Sequence, residues 1–316
     1  LEGEPDVDIW WSGPEAIRSA RKGSELPLSG VHIALDPGHI GGEWAEIEGR
    51  HFKMKQDDFA VREGELVLEV ARLVQARLLK LGAELTLLRD DHKKLNPKSP
   101  EDYLQMAMDR VPQPIDVSWA SLADYALALR AQMNRLAAVN GELIERARLV
   151  NEDIRPDVLV SLHINAAPWP IDNQGRVKHE LVESNHTHVL IFGCLSDTEL
   201  SNPRQAQQLL VKLHNGSGGI ELELGQALGL SLGNATSLPA SMYDGRNAVR
   251  LDGYTPYLWA RNLMLLRYVE CPVILLEPYI ANSKAAYPRL QAAIRTRQEG
   301  SPLTEDDILV EYADAV

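Results

Sequence analysis

Short, nearly continuous apolar runs alternate along the chain with longer segments whose apolar residues recur at helical spacing. The runs are rich in Val, Ile and Leu, and they predict strands at residues 31–36, 84–89, 158–163, 188–193 and 273–277. Strands with such uninterrupted apolar interiors are typically buried on both faces. The pattern therefore predicts an α/β fold, a three-layer α/β/α sandwich around a mostly parallel, mixed central sheet.

Helical spacing is clearest in residues 63–82, where leucines and valines fall on one face and Gly82 stands at the usual stop position. Residues 117–153 carry a second long helical pattern, rich in Ala, Leu and Arg. The Gly-rich stretch 214–219 predicts a flexible loop, and Thr304 is the expected N-cap of a carboxyl-terminal helix.

The chain is expected to form one main domain with an excursion. Residues 1–29, with Trp10 and Trp11, are interpreted as a lead-in segment that packs on the domain formed by residues 30–316. Residues from 91 onward are at first polar and proline-bearing and then helical. About 91–145 is therefore interpreted as a helical insertion rather than a separate domain.

Composition excludes two classes of partner. The chain has 316 residues, of which 45% are hydrophobic, and a formal net charge of −13. Nucleic-acid binding needs a basic surface, and no basic cluster exceeds pairs such as Lys93-Lys94, so no nucleic-acid partner is expected. The longest apolar stretches, such as 269–276, are far below the roughly 18 residues that span a bilayer. No transmembrane segment is expected either.

The two cysteines do not indicate a disulfide framework. Cys194 and Cys271 lie in or beside apolar runs, so buried thiols in core strands are the favoured interpretation, with a disulfide or a metal ligand as the alternatives. Because the chain begins at Leu1 without a methionine, we expect a processed polypeptide from which any export signal has been removed.

Several predicted strands end in a side chain that can do chemistry. One run ends at His39, another at His163 and Asn165, and the last at Glu277. Ligands of open α/β sheets bind outside the carboxyl ends of the strands, so these residues are expected to meet at one edge. Two imidazoles and a carboxylate are a ligand set that suits catalytic zinc, with a fourth position left to water.

The third ligand is less clear from spacing alone. Glu63 stands at the very start of the helix predicted over 63–82, but an acidic residue in a first helical turn is often only a favourable partner of the helix dipole. Its rivals are Glu65, Glu43 and Glu46.

Four motifs resemble one known family. "IALDPGHIGG", "REGELVLEVA", "SLHINA" and "PVILLEPYIANS" occur in that order, and from about residue 30 onward the chain is similar to the zinc-dependent N-acetylmuramoyl-L-alanine amidases of the amidase-3 type. The resemblance implies a phosphorylase/hydrolase-like fold, with one zinc ion bound by His39, Glu63 and His163 and with Glu277 as the catalytic glutamate. It also implies a peptidoglycan or muramoyl-peptide substrate and a location in the cell envelope, periplasmic or extracellular.

The chain departs from the family pattern around the motifs. Ile40 stands where the family has glycine, residues 43–60 lack the usual Gly-rich character, and "EPY" replaces a small residue and glycine at the last motif. Two alternatives therefore stand beside the peptidoglycan amidase: a zinc peptidase or amidase acting on another substrate, and a non-catalytic wall-binding domain.

Three further residues are candidates for contact with the substrate. Asn165 is a candidate for hydrogen bonding near the metal, and Arg246 for binding in a long polar loop. His188, at the start of a strand, is a candidate for orienting substrate, although a surface or structural role is the favoured alternative. For Glu277 the competing interpretation is a buried carboxylate paired with an arginine, for which Arg246, Arg250 and Arg261 are the candidates.

Overall fold

The computed structural model describes residues 8–20, 23–243 and 245–316. Its strands, in chain order, are β1 (His32–Pro37), β2 (His51–Phe52), β3 (Val61–Arg62), β4 (Glu84–Leu87), β5 (Val158–Leu162), β6 (Thr187–Phe192), β7 (Ala248–Arg250), β8 (Leu258–Arg261) and β9 (Val273–Pro278). Seven of them form one sheet in the order β4-β1-β5-β9-β6-β8-β7, while β2 and β3 pair separately.

The directions of the strands decide which ends meet. Strands β4, β1, β5 and β9 run parallel to one another, whereas β6 is antiparallel to β9 and parallel to β8. The edge that collects the carboxyl ends of β1, β5 and β9 therefore also collects the amino end of β6. This edge carries the candidate site.

The helices, in chain order, are α1 (Pro14–Ala20), α2 (Trp44–Glu48), α3 (Glu63–Lys80), α4 (Leu104–Met108), α5 (Trp119–Arg135), α6 (Glu142–Arg148), α7 (Asp197–Leu200), α8 (Pro203–His214), α9 (Ser217–Thr236), α10 (Met264–Tyr268), α11 (Ala286–Gln298) and α12 (Ile308–Ala315). A 3₁₀ turn at Pro100–Tyr103 precedes α4, and π-helical turns at Leu136–Gly141 and Leu149–Ile154 flank α6. The backbone is therefore helical without a break from α5 to residue 154.

Alternate residues of the strands enter two cores. On β1, Ile33 and Leu35 join an apolar cluster built from α3, α9, α11 and α12, whereas Ala34 joins a second cluster that includes residues of α6 and α10. Helices thus cover both faces of a mixed sheet, which confirms the predicted three-layer α/β/α sandwich.

The five predicted strands are confirmed within two residues at each end, and β7 and β8 were not predicted. The predicted loop at 214–219 is mostly wrong: only Asn215 and Gly216 separate α8 from α9, because the Asn215 side chain accepts the Ser217 amide at 2.9 Å and starts the second helix. Thr304 is not the final N-cap. Asp307 accepts the Leu309 amide at 2.8 Å and has that position.

The lead-in segment contacts the domain where it is described, which excludes residues 1–7, 21 and 22. Trp11 is buried in the second core, and the Trp10 indole donates to the carbonyl of Pro156 at 3.0 Å. Cys271 is buried as expected, whereas Cys194 is only partly buried just beyond β6, and both thiols are free. Within the described ranges no helix is both long and apolar enough to cross a membrane.

Candidate metal and catalytic site

The sheet edge holds the turn that follows β1. The Gly38 amide donates to the carbonyl of Leu162 at 2.9 Å, and the His163 amide donates to the carbonyl of Leu276 at 2.9 Å, so the ends of three neighbouring strands are tied together. His39 follows in the left-handed region with φ 57°, a conformation that non-glycine residues rarely adopt. The turn therefore projects this side chain over the end of β5.

Two imidazoles converge on one carboxylate at this edge. Glu63 Oε2 lies 3.3 Å from His39 Nε2, and Glu63 Oε1 lies 3.0 Å from His163 Nδ1. The two rings are nearly perpendicular, with centroids 5.1 Å apart. One ligand atom from each of the three residues lies within 4.8 Å of the others. Two ring nitrogens and one carboxylate oxygen at this spacing fit the donor set of a catalytic zinc site.

Glu63 is held by its place at the start of α3. Its Oε1 also accepts the Ile164 amide at 3.2 Å, which ties the helix to the end of β5. Burial raises the pKa of this carboxyl, but the charges of His39, His163 and Arg50 outweigh burial and hold the pKa below its ordinary value. Glu63 is thus an ionised acceptor between the two rings.

The rival carboxylates lie elsewhere. Glu65 accepts from the Arg62 guanidinium at 3.1 Å, and Glu46 is largely exposed, 3.9 Å from His51. Glu43 stands just before α2, where its side chain makes no capping hydrogen bond, and it is not a member of the group. Of the four candidates, only Glu63 is brought together with both histidines.

A glycine allows this close packing. The backbone of Gly64 passes so near the Ile40–Gly41 turn that an added Cβ would stand 2.7 Å from the carbonyl carbon of Ile40. The "EG" pair at the start of α3 therefore supplies the carboxylate of the group and the room for the turn that carries His39.

A buried arginine from α6 fixes the turn before His39. Arg146 donates to the carbonyls of Pro37 and His39, each at 2.8 Å. Its charge is balanced by Asp36 at 2.6 Å and Glu142 at 3.0 Å, and all three charged side chains are buried. The sequence gives no signal that distinguishes Arg146 from the other arginines of this helical run.

Arg89, just beyond β4, holds the same turn from the other side. Its guanidinium donates to the carbonyls of Pro37 at 3.1 Å, Gly38 at 3.2 Å and Gly64 at 2.7 Å. Burial and the nearby Arg146 charge lower the pKa of Arg89 to about 10, which still leaves it charged at neutral pH. Two guanidinium groups thus satisfy every carbonyl of residues 37–39.

Glu277 lies at the same edge, opposite His188 in the antiparallel pair of β9 and β6. Its Oε2 accepts a hydrogen bond from His188 Nε2, and the Tyr243 hydroxyl lies 3.1 Å from the same nitrogen. Burial raises the pKa of Glu277, but the charge and hydrogen bond of His188, with help from His163, outweigh it and lower the pKa to about 2. The direct partner of this carboxylate is a histidine, and none of the three candidate arginines hydrogen-bonds it.

The structure places the three predicted substrate contacts differently. His188 is fully buried behind Glu277, so it orients that carboxylate rather than a substrate. Asn165 Oδ1 accepts the Ala166 amide at 2.7 Å within its own loop, and Asn165 is not a member of the group formed by His39, Glu63 and His163. Arg246 is exposed, and its guanidinium makes no hydrogen bond or ion pair with any residue that the structure describes. For Asn165 and Arg246 the geometry offers no support.

Two small cavities flank the group of His39, Glu63 and His163. One, of about 80 Å³, has Glu63, Arg50, Phe52 and Trp169 in its wall. The other, of about 60 Å³, adjoins His39 and is walled by residues of the helical run after α5: Ala138, Val139, Glu142, Leu143 and Arg146. The predicted insertion therefore forms one side of the candidate site.

Known protein families and curated proteins offer no match to this chain. Among solved structures it is similar to the N-acetylmuramyl-L-alanine amidase Ami1 from Mycobacterium smegmatis, with 17% identity, 91% of this chain and 94% of that chain covered, and a TM-score of 0.47. It is also similar to the apo form of Ami1 from Mycobacterium abscessus, with 16% identity, coverage of 92% and 96%, and a TM-score of 0.47. An N-acetylmuramoyl-L-alanine amidase from Clostridium difficile 630 gives 13% identity, coverage of 90% and 92%, and a TM-score of 0.42. At these identities, the chemistry of this chain is inferred from its own side chains.

Proposed function

We propose that this chain is a zinc-dependent N-acetylmuramoyl-L-alanine amidase, which hydrolyses the amide bond between N-acetylmuramic acid and L-alanine in peptidoglycan. The observation that carries the proposal is the group of His39, Glu63 and His163, whose ligand atoms lie within 4.8 Å of one another. The substrate is taken from the four ordered motifs that contain these residues and Glu277, because the side chains alone specify only the chemistry.

One zinc ion per chain would be held by the two imidazoles and the carboxylate. When bound, zinc supplies Lewis-acid chemistry: it polarises the scissile carbonyl and lowers the pKa of water to around 7. Glu277 accepts the proton of the attacking water and passes it to the nitrogen of the leaving amine, acting as general base and then as general acid. Because His188 holds Oε2 of this carboxylate, Oε1 is left for the proton.

The proposal places the protein in the cell envelope, periplasmic or extracellular, where muramoyl-peptides occur. Residues 30–316 are then the catalytic domain, with 1–29 as a lead-in segment and about 91–145 as a helical insertion. A second candidate is a zinc peptidase or amidase with another substrate. The segment 43–60 favours it, because this departure from the family pattern puts Arg50 and Phe52 in the wall of the cavity beside Glu63.

Metal analysis and one isosteric variant test the catalytic proposal. The wild-type protein should contain one zinc ion, and His39→Ala or His163→Ala should lose it. Glu277→Gln should keep zinc and lose turnover of a muramoyl-peptide by about 10²- to 10⁴-fold, the usual size of general-base catalysis. Glu46→Gln, an exposed carboxylate outside the group, is the matched control and should be fully active.

The substrate is tested separately. Purified peptidoglycan, a muramoyl-peptide and a plain peptide are incubated with the wild-type protein, and the released amino groups are counted. Cleavage of the plain peptide alone would favour the second candidate. A wild-type protein without zinc would contradict both enzymes. If Glu277→Gln binds peptidoglycan normally and the wild type cleaves nothing, the chain is a wall-binding domain.

A further inference from the structure

One buried carboxylate beside the metal group is not a member of it. Glu48 is the last residue of α2, its side chain is 3% exposed, and its Oε1 lies 3.3 Å from His39 Nδ1. This is the ring nitrogen that faces away from Glu63, since His39 Nε2 is the atom 3.3 Å from Glu63 Oε2. The His39 ring therefore stands between two carboxylates, one on each nitrogen.

The other contacts of Glu48 define what its oxygens do. The Ile40 amide donates to Oε1 at 3.1 Å and to Oε2 at 3.0 Å, and the Gly41 amide lies 3.4 Å from Oε2. Backbone amides only donate, so both oxygens act as acceptors and face the residues that directly follow His39. A ring nitrogen at the same carboxylate is then satisfied only if it carries a hydrogen.

The tautomer of His39 follows from this network. A hydrogen on Nδ1 is donated to Glu48, and a neutral imidazole then keeps its lone pair on Nε2, the nitrogen directed toward Glu63. Binding to a metal through Nε2 needs that lone pair. The opposite tautomer would set two acceptors against each other at Nδ1 and would cover Nε2 with hydrogen.

The backbone at His39 also needs external support. With φ 57°, the residue lies in a region that a non-glycine residue keeps only when neighbouring contacts impose it. Arg146 and Arg89 hold the carbonyls of the turn, and Glu48 holds the two amides that follow. Glu48 is the one of these three side chains that also contacts the ring.

We propose that Glu48 is a positioning residue that holds His39 in the Nδ1–H tautomer and aims its Nε2 at the metal, an inference that rests on the proposed zinc site. Partners of this kind typically contribute 10- to 100-fold to metal affinity. The competing role is purely structural, an anchor for the amides of Ile40 and Gly41 with no effect on the ring.

The test compares Glu48→Gln with Glu46→Gln, an exposed carboxylate on the same short helix. Zinc affinity is measured by competition with a chromophoric chelator, and the melting temperature is measured on zinc-free protein. Glu48→Gln should weaken zinc binding by roughly 10- to 100-fold, whereas Glu46→Gln should match the wild type. Wild-type affinity in Glu48→Gln would overturn the role of Glu48 and leave the zinc proposal intact.

A second measurement needs no variant, so a folding failure of Glu48→Gln does not protect the inference. Nitrogen-15 NMR of histidine-labelled, zinc-loaded wild-type protein reports which ring nitrogen of His39 carries hydrogen, with His39→Gln used to assign the signal. A hydrogen on Nδ1 supports the inference, and hydrogen on Nε2 alone overturns it. Absence of zinc binding in the wild type overturns the proposed function itself, and the inference with it.

Discussion

Arg146, the buried arginine that holds the turn at residues 37–39, gives a sharp stability prediction. Arg146→Met keeps a long side chain but removes the cation that contacts two buried carboxylates, Asp36 and Glu142. Removing one partner of a buried ion pair costs about 3–5 kcal/mol, because the remaining charge is left without compensation. The carbonyls of Pro37 and His39 also lose their donors. We therefore expect the free energy of unfolding to fall by at least about 3 kcal/mol.

Urea unfolding in the presence of a chelator, followed by circular dichroism, measures this loss without a contribution from metal. Arg148→Met is the control, since Arg148 lies two residues away on the same helix but pairs with carboxylates at the surface, and it should have a far smaller effect. Adding Asp36→Asn to Arg146→Met should recover part of the loss, because one uncompensated charge is removed. A loss of about 0.5 kcal/mol or less for Arg146→Met, as for an ordinary surface substitution, would refute the reasoning.

Three other predictions use simple assays. Gly64→Ala should destabilise the protein by about 1–3 kcal/mol and weaken metal binding, since its Cβ would strike the Ile40–Gly41 backbone. Gly218→Ala, in the first turn of α9 with no clash for the added Cβ, should not destabilise the protein in the same urea titration, because alanine is the better helix former. A chromogenic thiol reagent should modify one cysteine in the native protein and two in urea, because Cys271 is fully buried and burial raises its pKa to about 12; rapid modification of both native thiols would contradict this. Burial raises the pKa of Asp36, but the Arg146 charge and the Ser161 hydrogen bond outweigh it, so the folded pKa lies below the ordinary 3.8. The stability that Asp36 contributes is therefore present above about pH 4 and is lost as the pH falls through the folded pKa, and Asp36→Asn should flatten the acid side of a stability-versus-pH curve; an unchanged curve would contradict it.

The strands that position the site were predictable because each is buried on both faces and therefore apolar throughout. The runs that became β1, β5, β6 and β9 were found within two residues of their observed ends. Strands β7 and β8 were missed, because both lie in the segment around and after Arg246 that was interpreted as a long polar loop.

The loop predicted at 214–219 is mostly wrong, because α9 already begins at Ser217. Glycines 218 and 219 suggested a loop, but the side chain of Asn215 caps the next helix and its amide donates to the carbonyl of Glu270 at 2.8 Å. Further along α9, an added Cβ at Gly225 would stand 2.6 Å from Leu258, so glycine there serves the close approach of helix and sheet. The glycine content of this segment predicts a loop, but contacts with the rest of the fold make it a helix.

From the residues alone, the candidate site was predictable where a strand end marks it, whereas Glu63, at a helix start, was singled out by the family resemblance. His39, His163 and Glu277 each follow an apolar run, and their convergence follows from the shared direction of β1, β5 and β9. Glu48 carries no such mark, because it is one of several acidic residues in "EWAEIEG" and its role depends on how α2 folds back over the turn. His188 was assigned to substrate because a strand start resembles a loop in sequence, whereas the antiparallel pairing buries it.

The path of the insertion changes how its role can be tested. The predicted boundary at residue 145 falls inside α6, one residue before Arg146, and the helix continues without a break to residue 154. Deleting 91–145 would therefore remove Glu142, disturb the arginine that holds the His39 carbonyl and open the wall of the cavity beside the metal group. Lost activity after that deletion would therefore report collapse of the turn at residues 37–39, and would show nothing about a separate role of the insertion. The outer part is different, because none of the residues of α5 is buried. A deletion that tests the insertion should therefore be aimed at α5, because the helical run from residue 136 onward supports the site.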